Sequence, residues 1–70
     1  MAVIKSEMAG TVLEVKVKAG DSIKSGQEIV VLESMKMEVP VMANQSGKVA
    51  EIKKKVGDFV NEGEALIELA

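Results

Sequence analysis

The chain has no cysteine, histidine, tryptophan or tyrosine, and Phe59 is its one aromatic residue. Each absence removes a class of function. Without cysteine or histidine there is no disulfide scaffold, no zinc site built from those ligands and no triad catalysis. One aromatic ring offers no platform for stacking bases. Arginine is missing too: all nine basic residues are lysine, and eleven acidic residues bring the net charge to −2. Nucleic-acid and anionic-membrane surfaces ordinarily need a basic excess, so neither partner is expected. No apolar run approaches the roughly 20 residues of a membrane span. The start, Met1 to Glu7, lacks a basic-then-apolar leader pattern, and the expected location is the cytosol.

What remains is 70 residues, the size of one small domain. A domain this short buries only about 60% of its unfolded surface. With neither disulfide nor metal as a staple, it needs an efficient aliphatic core.

The organising feature is an internal repeat. At a constant offset of 37 positions, all the glycines pair: Gly10 with Gly47, Gly20 with Gly57 and Gly26 with Gly63. Val12 and Val49, Glu14 and Glu51, Lys16 and Lys53, Lys18 and Lys55, Asp21 and Asp58, and Leu32 and Leu69 match as well. Residues 2–33 and 39–70 therefore read as two copies of one unit within a single domain, 1–70.

Each copy reads as strands and turns. Leu13, Val15 and Val17 alternate with Glu14 and Lys16, the period-2 pattern of a half-buried strand. Gly20-Asp21 and Gly57-Asp58 are turn dipeptides, and Gly26 and Gly63 suit a second turn. Ile23 and Val60 lie between those turns and are expected to point inward. Glu28 to Leu32 and Ala65 to Leu69 read as short buried strands. The pattern predicts an all-β fold, a flattened barrel with two-fold quasi-symmetry. A two-fold axis puts the chain termini close together, at the end opposite residue 36.

The link between the copies is Glu33-Ser34-Met35-Lys36-Met37-Glu38-Val39-Pro40. Apolar strands before and after it (Ile29 to Leu32, Val39 to Val41) make it a tight hairpin with Lys36 at an exposed tip. On spacing alone, Met35 and Met37 are gap-fillers in the core or on a strand face or parts of a contact surface, and Lys36 is a solvated lysine or a functional one.

Glu33-Ser34-Met35-Lys36-Met37-Glu38 closely resembles the attachment motif of the biotinyl/lipoyl attachment domains, and with the repeated Gly-Asp-x-Ile/Val-x-x-Gly segments the resemblance spans almost the whole chain. It is strongest to a free-standing branch described from bacilli. Ser34 departs from the alanine most common before the first methionine, and the near gap-free repeat leaves no room for the protruding loop of some bacterial carriers. The resemblance implies a barrel-sandwich hybrid of two four-stranded antiparallel sheets with the modified lysine on an exposed hairpin. It implies that a biotin protein ligase joins biotin to Lys36, that Met35 and Met37 are read by ligase and partner, and that Glu33, Ser34 and Glu38 contribute to recognition. An ordinary lysine amine is protonated at neutral pH and a poor nucleophile. The implied protein is thus a carrier and not an enzyme, a monomer whose arm moves carboxylate between biotin carboxylase and carboxyltransferase components.

Alternatives stay open. A lipoyl carrier would use the same Lys36 with a lipoyl ligase; an unmodified barrel would serve as an interaction module. Pro40 is expected at an edge, where a missing N–H costs little. Lys53-Lys54-Lys55 reads as a solvated strand end, and the Asn44-Gln45-Ser46 sequon is discounted for want of a leader.

Overall fold

Short aliphatic runs between glycine turns each form a strand. The computed structural model describes residues 2–70, and Met1 lies outside the described residues. In chain order the strands are β1 (Val3–Lys5), β2 (Gly10–Val15), β3 (Ser22–Ile23), β4 (Glu28–Ser34), β5 (Met37–Met42), β6 (Gly47–Ile52), β7 (Phe59–Val60) and β8 (Ala65–Leu69). They make two four-stranded sheets, ordered β1-β8-β6-β3 and β5-β4-β2-β7. Every pairing is antiparallel. This is the all-β fold that the pattern predicts, in the two-sheet form that the resemblance implies.

The two inner faces share one aliphatic core. Ile4, Val12, Ile29, Leu32, Val49, Val60, Leu66, Ile67 and Leu69 are all buried in it. Ile23 and Val60 point inward as expected, each from a two-residue strand. Burying a side chain of this kind contributes about 1.5–3 kcal/mol relative to leaving it exposed. That term has to offset the ordering of a short chain.

The offset of 37 recurs in the hydrogen bonds. The Gly20 N–H donates to the Val49 carbonyl and the Gly57 N–H to that of Val12. The Gly26 N–H donates to Ala43 and the Gly63 N–H to Ser6. The Lys18 and Lys55 N–H groups donate to Asp21 Oδ2 and Asp58 Oδ2, each at 3.0 Å. Asp21 and Asp58 thus close the same turn twice, and Gly20 and Gly57 take positive φ there (96° and 95°), where a Cβ would be strained.

Bulges repeat as well, and they correct one reading. Val12 pairs with Leu32 but Glu14 with Val31, so Leu13 is an extra residue in β2. Ala50 is the extra residue in β6, between Val49 and Glu51. The bulge shifts the inward phase by one position. Val12 and Val17 therefore face the core, Val15 is half-buried, and Leu13, expected in the inward stripe, is exposed. Ile29 in β4 and Leu66 in β8 are likewise extra residues, again at equivalent positions.

The closure of the chain follows the same symmetry. Val31 pairs with Pro40, and Val3 pairs with Glu68. The Leu69 N–H donates to the Ala2 carbonyl at 2.8 Å. Residues 2 and 69 therefore lie side by side, at the quasi-two-fold equivalent of the β4–β5 hairpin.

Candidate functional site

The β4–β5 hairpin is held rigidly up to its last pair. Leu32 pairs with Val39, Glu33 with Glu38 and Ser34 with Met37, leaving Met35 and Lys36 as a two-residue turn. Both turn residues have positive φ, 54° and 65°. A two-residue loop of this kind is a type I′ turn, whose twist matches the flanking strands and whose usual residues are Asn-Gly. Here a methionine and a lysine take left-handed conformations that L-residues with a Cβ seldom adopt.

Alternation along the strands sorts the neighbours. Leu32 is buried in the core and Val39 half-buried on the same side. Ser34 and Met37 continue that side beyond the end of the core, while Glu33 and Glu38 face the opposite way. Met35 is 92% exposed and Met37 65%. Neither methionine fills a gap in the core. Lys36 is exposed at the apex. Among the described residues the ion pairs involve Lys16, Lys53 and Lys54, and none reaches Lys36.

The hairpin's base has a support that the motif reading gave no weight to. A Cβ placed on Gly10 would lie 2.8 Å from the Glu33 carbonyl oxygen. Only glycine lets β2 approach the backbone of β4 so closely at this point. The pairing of Gly10 with Gly47 was its signal in the sequence. Pro40 lies on β5, the edge of its sheet, as expected. Lys53 to Lys55 follow the end of β6, where Lys53 lies 3.0 Å from Glu51 and 3.4 Å from Glu68. The Lys53 amine is held above its ordinary value chiefly by its hydrogen bond to Glu51.

A bare amine at the apex of a stiff turn, flanked by exposed thioethers, can be reached from nearly every side. Such an arrangement can take a covalent arm, because an acyl group on the amine displaces no packed neighbour. Residues 2–69 match the family described as "Biotin-requiring enzyme". The chain belongs to the biotin/lipoyl attachment family. Over 43 residues it is 58% identical to the biotin/lipoyl attachment protein of Bacillus subtilis, covering 61% of this chain and 59% of that protein. Over 40 residues it is 52% identical to the biotinylated protein TB7.3 of Mycobacterium tuberculosis, covering 57% of this chain and 56% of that one. The chain thus spans less than two thirds of the length of these curated relatives. Among solved structures it resembles the urea carboxylase of Kluyveromyces lactis, with a TM-score of 0.88 and 32% identity over 99% of this chain and 6% of that one. A single-chain, multi-domain long-chain acyl-CoA carboxylase gives a TM-score of 0.86 and 30% identity over 94% of this chain and 7% of its own. No helix among the described residues is long and apolar enough to cross a membrane.

Proposed function

We propose that residues 1–70 act as one biotin carrier domain with Lys36 as the attachment point. The observation that supports this most directly is the exposed Lys36 amine at the apex of a two-residue turn, with exposed methionines on either side. In this reading a biotin protein ligase activates the biotin carboxyl at the expense of ATP. The Lys36 ammonium loses two of its three protons as its nitrogen attacks the activated carboxyl carbon; the C–N bond forms, the nucleotide phosphate leaves, and the resulting amide N–H carries no positive charge. Once attached, biotin supplies a ureido nitrogen able to accept and release a carboxyl group.

The chain's own residues place that group. The paired strands up to Ser34 and Met37 keep the base of the arm fixed, so motion is confined to the lysine side chain and what it carries. Met35 and Met37 offer flexible apolar contacts to ligase and carboxylase, with Ser34, Glu33 and Glu38 as polar contacts around them. The partners on this reading are the ligase and then the biotin carboxylase and carboxyltransferase components of a carboxylase. The domain has no catalytic residue of its own, and it works as a cytosolic monomer.

The test is intact-mass spectrometry after incubation with biotin, ATP and a biotin protein ligase, with Lys36→Arg and a parallel lipoate reaction. One biotinyl addition on the wild type, absent from Lys36→Arg, is the expected result. Addition of lipoate alone would transfer the site to acyl-carrying chemistry, and no addition of either would leave an interaction module.

A further inference from the structure

The two outer faces of the barrel are equivalent in backbone but not in chemistry. On the hairpin-bearing sheet, pairing places Phe59, Thr11, Glu33 and Glu38 in one row. Glu14, Val31 and Pro40 form the next row, with the bulged Leu13 beside Glu14. Phe59 is 58% exposed and Leu13 37%. Val31 is buried yet lies outside the core cluster, so its cover comes from neighbours on this outer face. At the corresponding positions of the other sheet stand Ser22 for Phe59, Ala50 for Leu13 and Glu68 for Val31. The fold is therefore satisfied by small or charged residues at these places, and the apolar set answers to something other than folding.

Charge divides the faces in the same sense. Among the described residues, Glu14, Glu28, Glu33 and Glu38 are set against Lys16, which is 3.1 Å from Glu28. The opposite face carries Lys5, Lys48 and Lys53 with Glu51 and Glu68. Glu33 and Glu38 are direct cross-strand partners, a like-charge pairing that costs stability and that an external cation would relieve. Two copies of this face would repel each other. Its complement is an apolar surface rimmed by lysine or arginine.

We propose that this outer face, from Glu33 and Glu38 at the hairpin to Leu13 and Phe59, seats the ligase that modifies Lys36. The assignment rests on the carrier reading above. It follows from reach: the ligase acts on the bare amine, so its surface must come within one lysine side chain of the turn. The carboxylase meets the longer, loaded arm and need not touch the sheet. Carboxylates around an apolar centre steer a basic-rimmed partner and fix its orientation, and the exposed aromatic is the kind of residue that anchors such a contact.

The test uses Leu13→Ala with Phe59→Ser, which installs the residues already accepted at the equivalent positions 50 and 22. The probe is a purified biotin protein ligase with biotin and ATP, and initial rates are followed against apo-domain concentration. The double variant should stay folded with a melting temperature only a little below that of the wild type, since Leu13 is partly buried, and its KM should rise roughly tenfold with kcat nearly unchanged, the signature of lost uniform binding. The wild-type KM should also climb with added salt. An unchanged KM in a variant that is still folded overturns the assignment. So does a rise only in the KM of a biotin carboxylase component for the biotinylated variant, or a wild-type dimer in sedimentation that the variant dissolves. Failure of the wild type to accept biotin at all is visibly different, and it overturns the carrier reading together with this one.

Discussion

Replacing Lys36 by glycine should make the protein more stable while removing the proposed attachment point. Lys36 is held at φ 65°, where a Cβ crowds the following carbonyl at a cost of about 1–2 kcal/mol. Glycine removes that cost. It also adds freedom to the unfolded chain, which returns about 0.4–1 kcal/mol of the gain. The net expectation is a stabilisation of about 0.5–1 kcal/mol, or a rise in Tm of about 2–8 °C for a domain of this size. The proper reference is Lys36→Arg, which keeps the Cβ, the exposure and the charge. Differential scanning calorimetry of the two unmodified variants side by side, with urea midpoints as a second measure, reads the difference. If Lys36→Gly melts at or below Lys36→Arg, the turn is not strained at this residue and the argument from its φ fails. The outcome expected here means that stability has been surrendered at the apex to keep a lysine there, as occurs where function dictates backbone conformation.

Other expectations follow from the same geometry. Gly10→Ala should cost about 1–3 kcal/mol, because its Cβ meets a backbone oxygen, whereas Gly47→Ala meets the movable Leu69 Cδ1 at 3.1 Å and should cost less; paired urea titrations compare them. Leu32→Ala, at a wholly buried position below the hairpin, should lose about 2–5 kcal/mol, a large share of the stability of a small domain, seen as a collapse of the unfolding midpoint. The Glu64 carboxyl is held below its ordinary value of 4.5, first by the Asn61 backbone N–H and also by the Lys54 charge. A depressed folded-state pKa means stability that is present above the ordinary value and lost as pH falls through the folded one. Glu64→Gln should flatten that acid-side loss while keeping the fold, since Gln27 accepts the equivalent bond from the Lys24 N–H at 3.1 Å. Unfolding midpoints at neutral pH and at about pH 3, below the ordinary carboxylate range, decide this, and an equal acid loss in both proteins would remove Glu64 from the account.

The architecture was legible because glycine positions record backbone geometry, and six glycines at one offset wrote the same turns twice. Ile23, Val60 and the two runs ending at Leu32 and Leu69 carried the core plainly. Leu13 was misread because a bulge adds a residue without leaving a mark in hydrophobic alternation; the inward phase passes from Val12 to Val15, and nothing in the letters Thr-Val-Leu-Glu-Val shows the slip. That same slip hid the apolar outer face. The hairpin and its exposed Lys36 were legible from the apolar strands on either side, and only the role proposed for that lysine came through resemblance. The turn's type I′ geometry has no Asn-Gly to announce it, and spacing alone left open for Met35 and Met37 a place in the core that neither enters.

The pairing of β1 with β8 has an architectural consequence. Residue 70 stands where Glu33 stands in the other half, and residue 2 stands where Val39 does. The barrel thus has two places at which a hairpin tip fits, and one is taken up by the approach of residues 2 and 70. Joining these through a second Ser-Met-Lys-Met-Glu bridge would close the chain into a ring with two arms pointing opposite ways. Opening that ring at Lys36 would leave a permuted, one-armed protein of the same fold. A carrier loaded at Lys36 would present its load at one pole and its covalent connections at the other, so a tether of any length would leave the arm's path clear.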